Sequence, residues 1–140
     1  MADKNGILAC VKKNELCVIA TSDNDGKPEA AVMAFAVNDS FELFMNTEAE
    51  TRKLKNIMAN SSVSVVVGGF KDDPSVQLDG AVRILSGEDA ENAKTFVLGV
   101  HPEWESYFTS PSGQWLKITP RWARYSDFSQ NPPEISEINL

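Results

Sequence analysis

Apolar residues recur at two spacings along the chain, and these spacings predict helices and short strands. Ile7, Leu8 and Val11 fall on one side of a helix over residues 4–13. Two further helices are expected from residue 47 to about 60 and over residues 88–100, the latter capped by Ser86. Alternating or β-branched runs predict six strands, at residues 16–23, 29–37, 41–46, 62–70, 75–85 and 114–128.

Turn residues separate the strands and favour antiparallel connections. Asp25-Gly26 is a hairpin signal between the first two strands, and residues 38–40, Asn-Asp-Ser, predict the next turn. Gly80 interrupts a strand, as at a bulge or a close approach of two backbones, and Pro120 bends the last strand or places it at an edge. Six strands joined in this way predict a closed or nearly closed antiparallel barrel, with helices covering its openings.

The second helix has a start signal and an apolar side. Thr47 with Glu50 three residues later fits a capping box, which predicts that the helix begins at Thr47. Leu54, Ile57 and Met58 form its predicted buried stripe. Thr47 therefore has two candidate roles, as a helix cap and as a ligand of a bound group.

Basic residues are concentrated near the start of this helix. Arg52, Lys53 and Lys55 stand within four positions of a chain whose formal net charge is −7. A charged pair of this kind is commonly a solvated helix face. The alternative is an anion site, because a local cluster can supply the counter-charge that an acidic chain otherwise lacks.

Composition and charge limit the classes of function. The 140 residues, 42% of them hydrophobic, predict one domain over residues 1–140, with residues 129–140 as a loose C-terminal arm. A sequence pI near 4.7 argues against nucleic acid as a partner. No apolar run reaches the ~20 residues of a membrane span. The expected location is therefore the cytoplasm.

Residues that often bind metals are sparse. Cys10 and Cys17 have no metal or redox spacing, and their apolar neighbours predict buried structural thiols. His101 lies near Glu103 and Glu105, but one histidine with two acids in a loop is a weak signal for a metal or an acid–base pair. No metal site is expected.

Four segments together resemble the pyridoxamine 5′-phosphate oxidase-like superfamily of FMN-binding split β-barrels. They are residues 28–37, 41–53, 63–67 and 76–85, and the resemblance extends over about residues 16–128. Its most specific element is a strand ending in Thr, three variable residues, then Ser/Thr-Arg-Lys; here it is Thr47 followed by Thr51-Arg52-Lys53. The resemblance implies a mainly β fold with helices, a six-stranded antiparallel Greek-key split β-barrel.

The resemblance also implies a homodimer with two FMN molecules at its interface and a set of cofactor-binding residues. Thr47, Thr51, Arg52 and Lys53 would contact the phosphate or the ribityl chain, and Gln77, with Ser75 as the alternative, would be a polar ligand. A strand with small side chains would run along the flavin ring. The remaining implied residues are the ring strand Ala31, Val32, Met33 and Ala34, together with Asn46 and Trp115.

Two departures narrow the implied function. The oxidases carry Arg and Lys on the strand where this chain has Ala30 or Ala31 and Ala36, and they end in an Arg-Leu-His-Asp-Arg type segment that is missing here. The resemblance therefore favours the short general-stress-protein branch and argues against oxidation of pyridoxamine phosphate. The expected function is that of a small FMN-dependent oxidoreductase. The alternatives are a non-catalytic carrier of flavin, deazaflavin or haem, and a barrel that has lost its cofactor.

Overall fold

The computed structural model describes residues 2–140. Three α-helices, one 3₁₀ helix and eight strands alternate along this part of the chain. The helices are α1 Lys4–Lys12, α2 Arg52–Ala59 and α3 Gly87–Val100, with the 3₁₀ helix at Pro102–Tyr107. The strands are β1 Leu16–Ser22, β2 Pro28–Ala34, β3 Ala36–Val37, β4 Leu43–Glu48, β5 Ser62–Gly68, β6 Ser75–Leu85, β7 Gly113–Asp127 and β8 Glu134–Asn139.

The strands form one antiparallel sheet in the order β2-β1-β5-β6-β7-β4-β3, with β8 added on β7. The first and last strands of this order, β2 and β3, are separated in the chain only by Phe35. The sheet must therefore curl until its two ends meet, and Cα atoms of β2 come within 8 Å of those of β4. This is the curled, split barrel that the pattern and the resemblance predicted.

The interior of the barrel is filled by side chains that alternate inward along each strand. Val63, Val65 and Val67 of β5 show the alternation most simply, because Ser62, Ser64 and Val66 between them are exposed. Ile7, Leu8 and Val11 of α1 join this core, as predicted. Leu54 and Ile57 of α2 also join it, so α1 and α2 both pack their apolar sides onto the barrel.

The break at Gly80 is both a bulge and a close approach. The β6–β7 register shifts between Asp79 and Gly80, whose partners are Trp122 and Pro120, so Arg121 is the extra residue of β7. A Cβ atom built on Gly80 would lie 2.4 Å from the Thr119 carbonyl oxygen. Only glycine leaves room for β7 here.

The strand count and the C-terminus differ from expectation. Eight strands form instead of six, because β3 is a separate two-residue strand and β8 was not expected. The arm predicted over residues 129–140 is wrong for Glu134–Asn139, which pairs along its whole length with β7 from Trp122 to Asp127. In this strand Ser136 is buried and the neighbouring Ile135 and Glu137 are exposed.

The start of α2 and one residue of its stripe also differ from expectation. Thr47 does not begin the helix, because it lies in β4; Thr51 is the N-cap and Arg52 the first helical residue. Met58 is 74% exposed, so the buried side of α2 is formed by Leu54 and Ile57.

The two thiols differ in burial. Burial raises the pKa of Cys17 to about 12, as expected of a structural thiol. Cys10 was also expected to be buried, but it is only half-buried. Burial raises its pKa too, while the nearby Lys13 ammonium lowers it.

Candidate functional site

The end of β4 and the start of α2 form a tight junction that collects hydroxyl and basic side chains. Thr51 caps the helix: its Oγ1 accepts a hydrogen bond from the Leu54 amide at 3.4 Å and donates one to the Glu48 carbonyl at 3.0 Å. Because Thr51 is tied to both elements, the side chains of the two threonines of the motif come together. Thr47 Oγ1 lies 3.3 Å from Thr51 Oγ1.

Lys53 closes this cluster from the helix side. Its Nζ donates to Thr47 Oγ1 at 2.7 Å. The Thr51 proton is used on the Glu48 carbonyl, so Thr47 is the donor in the contact between the two hydroxyls. The result is a directed chain of hydrogen bonds from Lys53 through Thr47 and Thr51 to a backbone carbonyl. We call Thr47, Thr51, Arg52 and Lys53 the clamp.

The clamp lysine is partly desolvated. Burial lowers the pKa of Lys53 from 10.5, and the Glu29 carboxylate opposes that fall. Thr47 is only 5% exposed. An ammonium held against a buried hydroxyl, with few charges to balance it, favours the approach of an anion.

Arg52, the fourth residue of the clamp, is paired with an acid of β2. Its Nε lies 3.4 Å from Glu29 Oε2, and its side chain is 77% exposed. A cavity of about 150 Å³ borders this pair. The cavity is lined by Asp23, Lys27, Pro28, Glu29, Arg52, Lys55 and Asn56.

The predicted ring strand lies close to the clamp. Ala31, Val32, Met33 and Ala34 all belong to β2, which approaches β4 across the closure of the barrel. Ala31 and Met33 pack against the barrel core, whereas Val32 is 66% exposed on the outer face. Ala31 and Ala34 have small side chains, and both pack against apolar clusters within the chain.

Asn46 and Trp115 are not brought to the clamp. Asn46 faces away from Thr47, because successive residues of a strand point to opposite faces, and its amide packs against Gly113. Trp115, paired with Asn46, is 7% exposed and packs with Ala93 and Val97 of α3. Its ring also meets Phe108 edge-on, with centroids 4.9 Å apart.

Gln77 is exposed on the outer face of β6, three strands along the sheet from β2, with β1 and β5 between them. The register places it in one row with Val66, Val18 and Val32. Ser75, the alternative position, lies on the same strand and is half-buried. Within one chain Gln77 is therefore separate from the clamp, but it shares a face with the outward side of the ring strand.

His101 has different neighbours from those the sequence indicated. Its Nδ1 lies 3.3 Å from Glu103 Oε1 and 4.0 Å from Glu15 Oε1, so Glu15 is the second acid in place of Glu105. The ring stacks on Trp104 with centroids 3.8 Å apart. These contacts give His101 a packing role at the end of α3.

Two contributors to the site were missed by sequence reasoning. Glu29 is set opposite Thr21 by the β1–β2 register, and Asn56 of α2 donates to Thr21 Oγ1 at 3.1 Å. These contacts tie α2 to the hairpin and place Glu29 beside Arg52. No signal in the sequence indicated this placement: a two-residue loop at Asp25-Gly26 would pair Glu29 with Ser22, whereas the loop spans residues 23–27 and the register pairs Glu29 with Thr21.

The fold and the clamp together define a class of protein: a small split β-barrel with hydroxyl and basic side chains gathered at a strand–helix junction. The family model described as pyridoxamine 5′-phosphate oxidase matches residues 4–127. The chain belongs to this family. No curated protein matches the chain closely enough to count as a relative.

Solved structures with the same fold include proteins of several descriptions. General stress protein 26 from Bacillus anthracis is 26% identical, with 96% of this chain and 95% of that chain covered and a TM-score of 0.71. A pyridoxamine 5′-phosphate oxidase-related, FMN-binding protein from Nostoc punctiforme is 13% identical, with 100% and 97% covered and a TM-score of 0.72. A haem-binding protein from Mycobacterium smegmatis is 12% identical, with 99% and 59% covered and a TM-score of 0.77.

Among the described residues, no helix is both long enough and apolar enough to cross a membrane.

Proposed function

We propose that the protein binds FMN and serves as a small FMN-dependent oxidoreductase. The observation that carries the proposal is the clamp, in which the Lys53 ammonium lies 2.7 Å from the buried Thr47 hydroxyl, with Thr51 3.3 Å further on. A phosphate monoester is bound by charge-assisted donors, and a lysine with two hydroxyls provides them. Arg52 adds a planar fork at the same helix start.

The chemistry of the remaining residues fits the rest of the cofactor. The flavin ring needs a flat apolar wall that lets a backbone approach closely, and Ala31 and Ala34 of β2 supply small side chains for it. The cofactor would supply the hydride or electron chemistry, and the chain would hold and orient it. The missing strand Arg and Lys, at Ala30 or Ala31 and at Ala36, argue against pyridoxamine phosphate as substrate.

We propose further that two copies associate through the outer face of β1, β2 and β5. Leu16 and Val32 are exposed apolar side chains on this face, and Val18 pairs in register with both Val32 and Val66. Such an apolar row on neighbouring strands is typical of an interface. This interface would place the second copy against the ring strand of the first. Gln77, which lies in the same row as Val32, would then face the second copy.

The test of the cofactor is the absorption spectrum of protein purified from cells, followed by titration with FMN. A flavin spectrum, or saturable binding of added FMN, is the expected result. A haem spectrum would favour the haem-binding alternative that the Mycobacterium smegmatis neighbour raises. A colourless protein that ignores FMN would contradict the proposal and favour a barrel without cofactor.

Reduction of the bound flavin then separates an enzyme from a carrier. Stopped-flow mixing with NADH or NADPH is expected to bleach the flavin absorbance with saturable kinetics. Bound flavin that neither nucleotide reduces would favour a non-catalytic carrier.

The test of the interface is sedimentation of Val32→Asp. The expected result is a monomer, because a buried unpaired carboxylate opposes association. Phe128→Asp is the control, since Phe128 is equally exposed at 70% but lies beyond the end of β7. A wild-type monomer, or a Val32→Asp dimer, would contradict the proposed interface.

A further inference from the structure

The clamp faces a carboxylate of its own chain. Glu29 Oε2 lies 3.4 Å from Arg52 Nε, and the Glu29 side chain is only 21% exposed. The strand that carries this carboxylate is tied to α2. This strand is paired with β1 at Thr21, and Thr21 is hydrogen-bonded to Asn56 of α2.

The same carboxylate acts on both cations of the clamp. It pairs with Arg52 directly, and its charge raises the pKa of Lys53 against the effect of burial. Glu29 thus supplies part of the counter-charge that a phosphate would bring. A phosphate that binds Arg52 must either displace Glu29 or lie beside it, and like charges repel at such distances.

The hydroxyl side of the clamp is also satisfied internally. Lys53 donates to Thr47, and the Thr51 proton goes to the Glu48 carbonyl. Each of these donor groups therefore already has one acceptor, although Lys53 and Arg52 keep further N–H donors, and only the Arg52 acceptor carries a negative charge. Glu29 is the one acceptor among these whose removal changes the electrostatics of the site.

We propose that Glu29 is a specificity-determining residue that competes with the ligand phosphate for Arg52. This inference rests on the proposed phosphate site. It means that the preference for FMN over riboflavin, which lacks the phosphate, is smaller than Arg52 and Lys53 alone would give. The opposite role is that Glu29 positions Arg52 for the ligand, in which case its removal would weaken binding.

The decisive variant is Glu29→Gln, which keeps the shape and the hydrogen-bonding capacity but removes the charge. We expect its Kd for FMN to fall about three- to tenfold at low salt, the effect of one partly exposed charge pair. The Kd for riboflavin should stay within about twofold, because the ring contacts do not change. Added salt should reduce the gain, since screening weakens the repulsion.

Glu50→Gln is the matched control. Glu50 is exposed next to the cap Thr51, and this substitution removes the same charge near the start of the same helix. We expect a clearly smaller gain in FMN affinity. An equal gain in Glu50→Gln would mean that FMN affinity depends only on net charge, which would overturn the inference. Unchanged or weaker FMN binding by Glu29→Gln would overturn it as well.

Inorganic phosphate separates this inference from the proposed function. Its binding is followed by the NMR shift of the Arg52 Nε–H signal in the wild type and in Glu29→Gln. If neither flavin binds but phosphate binds more tightly to Glu29→Gln, the FMN proposal fails and the competition by Glu29 stands. If phosphate moves the Arg52 signal in neither protein, or equally in both, the competition is overturned.

Discussion

The resemblance implied that both the clamp and Trp115 contact the cofactor, but the two lie in different surroundings in the structure. At the clamp, Thr47, Thr51 and Lys53 converge within hydrogen-bond distance. Trp115 instead packs under α3 with Trp104 and four smaller apolar residues. A site residue close in sequence to its partners can be predicted from the motif, whereas a residue on a distant strand depends on which elements cover that strand.

The largest effect that we predict is a loss of stability on substitution of Trp115, which tests whether Trp115 is a packing residue. Trp115→Ala removes a buried indole from the α3 cluster, and we expect the free energy of unfolding to fall by about 3–5 kcal/mol. The Kd of the folded protein for FMN should change by about twofold or less. Urea unfolding and flavin titration measure the two quantities.

Trp122→Ala is the control for that variant, because Trp122 is the same residue type but half-exposed on β7. Its expected cost is about 1 kcal/mol. If Trp115→Ala kept its stability and lost FMN binding, Trp115 would belong to the cofactor site and the contrast would fail.

A smaller, double effect is expected at the cap. Thr51→Ala removes the hydroxyl that caps α2, which costs about 1 kcal/mol of stability. It also removes a proposed phosphate contact, so FMN affinity should fall about fivefold, as for the loss of one hydrogen bond. Thr51→Ser retains the hydroxyl and should restore both quantities. Loss of stability alone, measured by thermal unfolding and titration, would make Thr51 a cap and nothing more.

The smallest effect is a dependence on pH. Burial lowers the pKa of Lys53 from 10.5, so the ammonium is lost at a lower pH than in an exposed lysine. A bound phosphate favours the charged form. The preference for FMN over riboflavin should therefore be full below the pKa of Lys53 and should fall as pH rises through it.

Lys53→Arg checks that assignment, because a guanidinium stays charged over the whole range. In this variant the ratio of the two flavin affinities should stay level with pH. Using the ratio cancels any titration of the flavin ring itself. A fall in the ratio that persists in Lys53→Arg would assign the titration to another group.

The predictable part of this molecule is the part encoded over short stretches. The alternation of apolar residues along the strands predicted which side chains fill the barrel interior. Gly80 predicted the bulge, because only glycine leaves room for Thr119 and Pro120. The capping signal at Thr47 was wrong because pairing of β4 with β7 keeps Thr47 in the strand, and Thr51 caps the helix instead. The acid beside Arg52 could not be read locally, since Glu29 reaches it only through the β1–β2 register.

The C-terminal strand shows the same limit. Residues 134–139 carry no apolar run of their own, and their strand forms because β7 offers a free edge from Trp122 to Asp127. Pairing with an existing edge adds backbone hydrogen bonds that local propensity does not report. Prediction from sequence therefore fails where the strand that a segment pairs with, and not the segment's own residues, determines its structure.

The most direct test of the clamp is the pair of affinities for FMN and riboflavin in wild type and in Arg52→Ala/Lys53→Ala. Hydrogen bonds to charged groups contribute about 1.5–3 kcal/mol each, so FMN affinity should fall at least about tenfold while riboflavin affinity holds. Lys4→Ala/Lys55→Ala, which removes two exposed charges outside the motif, should leave both affinities nearly unchanged. An unchanged ratio of FMN to riboflavin affinity in the clamp variant would contradict the assignment of the phosphate to this helix.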